Sequence, residues 1–288
     1  MEQRERRDTL PARALRREAA CLLKAAGIEE ADADAGQLLF HAAGFDAASY
    51  LLHAEEPLPE PVRRRFMESV RRRADREPLQ YIIGEAPFYG RLFVVRPGVL
   101  IPRFDTETLV ERMLPYTFPG ARILDLCTGS GCILLTLLLE GNGPMKGTGT
   151  DLSDTALGVA RGNAARFGVD ASFLRSDVYT NVSGVYDIIT ANPPYIRTDV
   201  IASLDPEVRD HEPRLALDGD ADGMRVYRSI IGGASAHLSE NGVIGLEIGF
   251  DQAEEVSALM EASGFRKIEV TEDLAGRPRA VTGRRGGS

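Results

Sequence analysis

From residue 105 onward the 288-residue chain alternates between strand-like and helix-like stretches, and few folds accommodate that order. "ARILDLC" reads as a strand, "GCILLTLLLE" as a helix and "KGTGTDL" as a strand. "SDTALGVARGNAARFG" then reads as a helix that Ser153 or Asp154 caps. "ASFLRSD" and "GVYDIITANPP" follow as strands with no evident helix between them. A helix ("ADGMRVYRSIIGGASAHL"), a strand ("GVIGLEIG") and a helix ("DQAEEVSALMEASG") come next. This alternation predicts an α/β fold, a mostly parallel sheet covered by helices on both faces. "FRKIEVTED" and "PRAVTGR" close the chain as an antiparallel hairpin, and the "GRRGGS" tail is expected to be loose.

The preceding residues have a different period. From residue 10 to about 77 the apolar spacing is helical, with stops at Gly27 and Gly44 and a capping Asp46. Val62, Phe66, Val70 and Ala74 fall four apart and predict one buried stripe. Four short helices of this kind make a small bundle in which nothing looks catalytic. Residues 78–103 are rich in β-branched and aromatic residues broken by glycines, and predict a hairpin or short strands joining two domains. The expected organisation is a helical bundle over 1–77, a hairpin linker over 78–104 and a catalytic domain over 105–288.

Composition narrows the function classes. Hydrophobic content of 43% and charged content of 27% suit a globular protein with a substantial core. No run approaches the roughly 20 apolar residues that span a bilayer, and "MEQRERRDTL" lacks an apolar leader core, so a cytoplasmic location and no membrane partner are expected. Cys21, Cys127 and Cys132 are too scattered for a disulfide framework, and the four histidines show no ligand spacing, so no metal site is expected. Cys127 and Cys132 read most simply as small apolar residues. A net charge of −9 argues against a phosphate-gripping protein, and hence against direct sequence-specific nucleic-acid binding. The clusters Arg63-Arg64-Arg65 and Arg71-Arg72-Arg73 read as the solvated face of a helix. A monomer is expected.

Ligands of such sheets sit at the carboxyl ends of the strands. The first strand ends in "LDLCTGSGC", where Gly129 and Gly131 permit a tight turn that aims a helix N-terminus at a ligand. The three-glycine diphosphate fingerprint is absent, because position 134 is Leu134. Asp125 suits a cationic amino acid better than a diphosphate, which points to S-adenosylmethionine. Asp151, at the end of the second strand, is placed to accept from ribose hydroxyls. Asp177, at the end of the third, is placed for an adenine amino group, with Val178 against the ring.

The fourth strand delivers "NPPY". Asn192 offers a side-chain carbonyl. Pro193 and Pro194 fix φ and remove backbone donors, so that a main-chain carbonyl becomes a second acceptor. Tyr195 offers a flat face for a planar group. Two acceptors on one –NH₂ would aim its nitrogen at a methyl group, with catalysis by positioning and by support of developing positive charge.

"NPPY" behind a strand with "DLCTGSG" upstream resembles methyltransferases acting on exocyclic or amide nitrogen. "LIPRFDTETLVE", "EPLQYIIGEAPFYG", "EPRLALDGDADG" and "DLAGRPRAVTGR" resemble, more narrowly, the release factor glutamine methyltransferases, also called HemK or PrmC. The likeness runs from about residue 77 to 285. It implies a class I S-adenosylmethionine-dependent, Rossmann-like fold with a seven-stranded sheet whose last strand is antiparallel. It also implies methylation of the glutamine amide nitrogen in the Gly-Gly-Gln loop of class I peptide chain release factors, with the helical N-terminus recognising the substrate. By this resemblance Asn192 and the Pro193 carbonyl hold the glutamine –NH₂ and Tyr195 packs on the amide. Cys127, Thr128, Gly129, Ser130, Gly131, Asp151, Val178 and Asn192 line the cofactor site. The chain departs from the family at Phe104, where proline is usual, and at Pro278, where an acid is common; Phe104 is expected to alter how the linker closes on the cofactor.

Two alternatives stay open at this point. One is a nucleic-acid methyltransferase acting on an adenine or guanine amino group, against which the acidic balance counts. The other is a non-catalytic cofactor-binding scaffold, against which the intact Asn192-Pro193-Pro194-Tyr195 counts.

Overall fold

The structure, a computed structural model, describes residues 10–286. The stretch 1–9, read above for a leader core, and the last two residues of the tail lie outside the described residues. By contact the chain divides into two units: residues up to Gly84 together with Pro206–His211, and Glu85–Asp205 together with Glu212 onward.

The first unit contains α1 (Ala12–Ala25), α2 (Ala31–Ala43), α3 (Ala47–His53), α4 (Glu60–Ala74) and α5 (Leu79–Ile83). Asp46 caps α3 as expected: its Oδ1 accepts from Ser49 N at 2.7 Å while Ser49 Oγ accepts from Asp46 N at 2.8 Å. Phe66 and Val70 of α4 are buried with Leu15, Leu23, Leu38 and Leu39, whereas Val62 and Ala74 are half-buried at the stripe's ends. α5 corrects the reading of residues 78–83 as strand. Pro78 opens it at φ −55° and left-handed Gly84 closes it, and Leu79 and Ile82 join the apolar cluster of this unit. Arg73 is likewise no solvated side chain. It is buried, donating from Nε to Asp34 Oδ2 at 2.7 Å and from Nη1 to Glu207 Oε1 at 2.9 Å. Glu207 lies in Pro206–His211 and also accepts from Arg76 at 2.7 Å. Breaking such a buried pair costs about 3–5 kcal/mol.

The second unit opens with an antiparallel hairpin, β1 (Glu85–Phe88) and β2 (Arg91–Val94), followed by an irregular strap and α6 (Glu107–Met113). Its main sheet comprises β3 (Arg122–Leu126), β4 (Lys146–Asp151), β5 (Ala171–Arg175), β6 (Tyr186–Ala191), β7 (Leu238–Glu247), β8 (Phe265–Glu272) and β9 (Pro278–Arg285). Spatial order is β5-β4-β3-β6-β7-β9-β8, with β9 antiparallel to both neighbours. The helices are α7 (Cys132–Glu140), α8 (Asp154–Phe167), α9 (Pro206–His211, grouped with the first unit), α10 (Arg214–Leu217), α11 (Arg225–His237) and α12 (Ala253–Ala262). This is the class I methyltransferase fold.

Local chemistry accounts for the main turns. Ser153 caps α8, its Oγ accepting from Ala156 N at 3.2 Å, a contact worth about 1 kcal/mol. The central strands β3, β6 and β7 are buried on both faces and correspondingly rich in Ile, Leu and Val. Part of the tail expected to be loose is ordered. Gly283, Arg284 and Arg285 finish β9, where Gly283 pairs with Ile244 and Arg284 with Val243. Lying between two strands satisfies the backbone there, which overrides the glycine-arginine composition. No helix among the described residues is long and apolar enough to cross a membrane.

Candidate active site

β3 is flanked by β4 on one side and β6 on the other, so the chain reverses its direction of winding at β3 and a crevice opens beyond its carboxyl end. There lies a cleft of about 1100 Å³, its open mouth included. Cys127, Thr128, Gly129, Ser130, Asp151, Asp177, Val178, Asn192 and Pro194 of the predicted set line it.

The turn after β3 is built from left-handed residues: Cys127 at φ 55°, Gly129 at 55° and Gly131 at 81°. Gly131 does not line the cleft. A Cβ there would meet Leu135 Cδ1 at 3.2 Å and Ala160 Cβ at 3.3 Å, so this glycine lets α7 start against α8. Cys132 is buried and its thiol is pushed up to about 12 by burial, and burial raises the Cys127 thiol as well. Neither thiol is therefore an anionic nucleophile near neutral pH. No cluster of three or more His, Cys, Asp or Glu side chains able to hold a metal ion occurs among the described residues.

Asp151 lines the cleft, and both of its oxygens accept backbone hydrogen bonds. Oδ2 accepts from Gly129 N at 2.9 Å and Oδ1 from Ser153 N at 2.8 Å, which leaves each oxygen further acceptor capacity. Burial raises its proton affinity while these backbone donors lower it. Asp177 stands exposed at the rim. Val178 is held at φ 46°, a conformation costing a β-branched residue about 1–3 kcal/mol. Ser176 Oγ donates to Val178 O at 2.9 Å, and neighbouring Tyr179 donates to Ile230 O at 2.9 Å and stacks on His237 at 4.6 Å.

Asp125 contradicts its expected contact with a cationic ligand. It is fully buried, it is not among the cleft's lining, and both oxygens are engaged. Oδ2 accepts from Thr128 Oγ1 at 2.6 Å and Oδ1 from Thr190 Oγ1 at 2.7 Å. Burial pushes the carboxyl up to about 7, and the two threonines oppose the shift. Asp125 thus ties the glycine turn to β6, two residues before Asn192.

At the corner, Asn192 and Pro194 line the cleft, and the side chains of Pro193 and Tyr195 are not among its lining. Tyr195 O accepts from Gln252 Nε2 at 3.1 Å, and a Cβ on left-handed Gly223 would stand 2.5 Å from the same oxygen. Ile196 N donates to Leu217 O at 2.9 Å and Gly219 N to Ile196 O at 2.8 Å, closing the far side of the corner.

Three contributions were not named residue by residue from the sequence. The strap Gly98–Arg103 walls the cleft with Thr106. Buried Glu212 accepts from Ile101 N at 3.4 Å and from Arg103 Nη2, fixing that wall. Fully buried Asn163 donates to Ser130 O at 2.9 Å and to Val94 O at 3.1 Å, tying the glycine turn to the hairpin. Phe104 is 69% exposed, and Pro278 opens β9 beside Arg279, which is buried and bonded to Asp273. The cleft suits S-adenosylmethionine by the chemistry of its walls. Asp151 has acceptor capacity for hydroxyls, and Val99, Ile101 and Val178 supply apolar surface.

Comparison with known proteins agrees along nearly the whole chain. Residues 14–84 match the PrmC N-terminal domain model and residues 102–204 the methyltransferase small domain model. A release factor glutamine methyltransferase of Agrobacterium fabrum is 42% identical over 271 residues, covering 91% of this chain and 93% of that protein. One of Cereibacter sphaeroides is 47% identical over 264 residues, covering 91% and 94%. A solved methyltransferase of Pyrococcus furiosus superposes with a TM-score of 0.53 at 16% identity, covering 69% of this chain and 91% of that one, a likeness of fold alone.

Replacing Asp151 with Ala should weaken S-adenosylmethionine binding by about 1.5–3 kcal/mol, the size of a charged hydrogen bond; titration calorimetry giving an unchanged Kd would exclude Asp151 as a ligand. Asp125 binds its proton more tightly folded than unfolded, so its contribution to stability is full below about pH 4 and is lost as pH rises through about 7. Urea midpoints measured from acid to neutral pH should fall less steeply in Asp125→Asn than in the wild type, and equal slopes would contradict the burial of this charge.

Proposed function

We propose a reaction for this chain, which belongs to the release factor glutamine methyltransferase family: it moves the methyl group of S-adenosylmethionine onto the side-chain amide nitrogen of the glutamine in the Gly-Gly-Gln loop of class I peptide chain release factors. The observation carrying this reading is Asn192, which lines the cleft immediately after β6, two residues beyond the threonine that Asp125 holds. Asp151, Val178 and the turn Cys127–Gly131 would hold the cofactor, with Asp177 at the rim. When bound, S-adenosylmethionine supplies an electrophilic methyl, and its sulfur retains the electron pair of the broken C–S bond.

An amide nitrogen is a weak nucleophile because its lone pair is delocalised into the carbonyl. Asn192 Oδ1 and the Pro193 carbonyl would each accept one N–H, fixing where the lone pair points. As the N–C bond forms, positive charge grows on nitrogen, and two carbonyl dipoles aimed at its hydrogens stabilise that charge without reorganising. One of those hydrogens then leaves as a proton to water. Pro194 holds the corner rigid, and Tyr195, braced by Gln252, supports the amide plane. The helical unit ending at Gly84 is proposed to recognise the body of the release factor, because the cleft itself is walled entirely by the other unit.

Incubation of the enzyme with a class I release factor and S-adenosylmethionine should add one methyl, located by peptide mass spectrometry on the Gly-Gly-Gln glutamine. Asn192→Ala should remove most of that product while cofactor binding persists at least in part; methylation elsewhere, or of RNA instead, would overturn the reading. A chain lacking residues 1–84 should bind the cofactor yet methylate intact release factor far more slowly, and equal rates would refute the recognition role.

A further inference from the structure

Next to the corner lies a buried carboxylate. Glu247, the last residue of β7, is 2% exposed. Tyr195 donates its hydroxyl to Glu247 Oε1 at 3.3 Å, and Tyr227 donates to the Glu247 main-chain carbonyl at 2.8 Å. Glu247 Oε2 is buried without a hydrogen-bond partner of good geometry. An anion half-satisfied in a dry interior is costly, and natural proteins retain such groups where function requires them.

What Glu247 touches suggests that function. Thr106, itself 2% exposed, is the hydroxyl neighbour that lowers the proton affinity of the Glu247 carboxylate, at a geometry looser than an ordinary hydrogen bond. The same hydroxyl oxygen accepts from Asn192 Nδ2 at 3.4 Å. A threonine hydroxyl has one proton to give. Directed to a carboxylate that can only accept, that proton leaves the oxygen lone pairs facing Asn192, and these can be met only by an N–H. The Asn192 amide is thereby turned with Nδ2 inward and Oδ1 outward, which the transfer requires. An asparagine has two nearly isosteric flips, and only the outward Oδ1 accepts a substrate N–H; the other presents an N–H that repels it.

We propose that Glu247 is a positioning residue for the transfer: through Thr106 it selects the flip of the Asn192 amide, and through the Tyr195 hydroxyl it anchors the far end of the same corner. This rests on the glutamine-holding role of Asn192 given above. Both distances lie at the outer edge of hydrogen bonding, so the effect is one of orientation more than of strength. The groups facing Glu247 are Asp105, Tyr195, Tyr227, Cys132 and Arg279, the last held by Asp273 and Asp105. Burial pushes the Glu247 carboxyl up to about 7, with Thr106, Arg279 and Tyr195 opposing the shift and Asp105 adding to it. Protonated, Glu247 becomes a donor and the direction of the Thr106 bond is no longer imposed.

The test compares Glu247→Gln, Thr106→Val, Thr106→Ser and Asn192→Ala in the full chain, with thermal unfolding as the check of fold. Glu247→Gln can donate to Thr106 and should lower kcat on the order of 100-fold, the scale of a misplaced reacting group, with the S-adenosylmethionine Kd unchanged. Thr106→Val should lower kcat to a similar extent, Thr106→Ser should restore most of the rate, and the Glu247→Gln/Thr106→Val double variant should be no slower than the worse single one. A Glu247→Gln enzyme of wild-type kcat, or a Thr106→Ser enzyme as slow as Thr106→Val, overturns the proposal. If Glu247→Gln does not fold, the Val and Ser variants of Thr106 decide alone. Should Asn192→Ala be fully active, the glutamine-holding reading itself fails. If Asn192→Ala is inactive while Glu247→Gln is not, only the role of Glu247 falls.

Discussion

A dehydrated carboxylate organises this protein. Asp125 bonds through one oxygen to Thr128 in the cofactor turn and through the other to Thr190 in β6. The turn that follows β3 and the end of β6 are thus fixed to one carboxylate. The cost of burial is visible in its proton affinity, raised to about 7, and the two threonine hydroxyls offset part of it. A transfer reaction that relies on positioning needs the donor and acceptor loops in constant relation, and sub-ångström errors there are expensive.

The rest of the cleft elaborates the same principle of fixing backbone by buried polar contacts. Asn163 holds the glycine turn to the hairpin, Glu212 holds the strap, and Gln252 holds the main chain of Tyr195. Val178 is kept in a strained conformation by hydroxyl and ring contacts on either side. These contacts fix the backbone around the cleft. Glu247 adds a finer control by deciding which end of the Asn192 amide faces outward.

Much of the fold was legible because strand and helix periods differ and because glycines and capping residues punctuate them. The ends of β3, β4 and β6 were readable, and with them Asp151 and Asn192. Asp125 was misjudged because strand-end position says that a side chain lies near a site, not which side of the turn it faces. The strap Gly98–Arg103 has no period at all, so pattern alone could not name its wall residues, although the family resemblance had the linker closing on the cofactor. α5 has the β-branched and aromatic composition of a strand, and only packing of Leu79 and Ile82 makes it helical. Glu247 sits in an apolar run where a lone acid carries no pattern.

The most direct measurement is a crystal structure of the enzyme with S-adenosylhomocysteine and a glutamine-containing peptide of the release factor loop. Two short contacts from the glutamine nitrogen are predicted, one to Asn192 Oδ1 and one to the Pro193 carbonyl, with that nitrogen in line with the sulfur. A glutamine bound elsewhere, or an Asn192 Oδ1 turned away from the sulfur, would contradict the account.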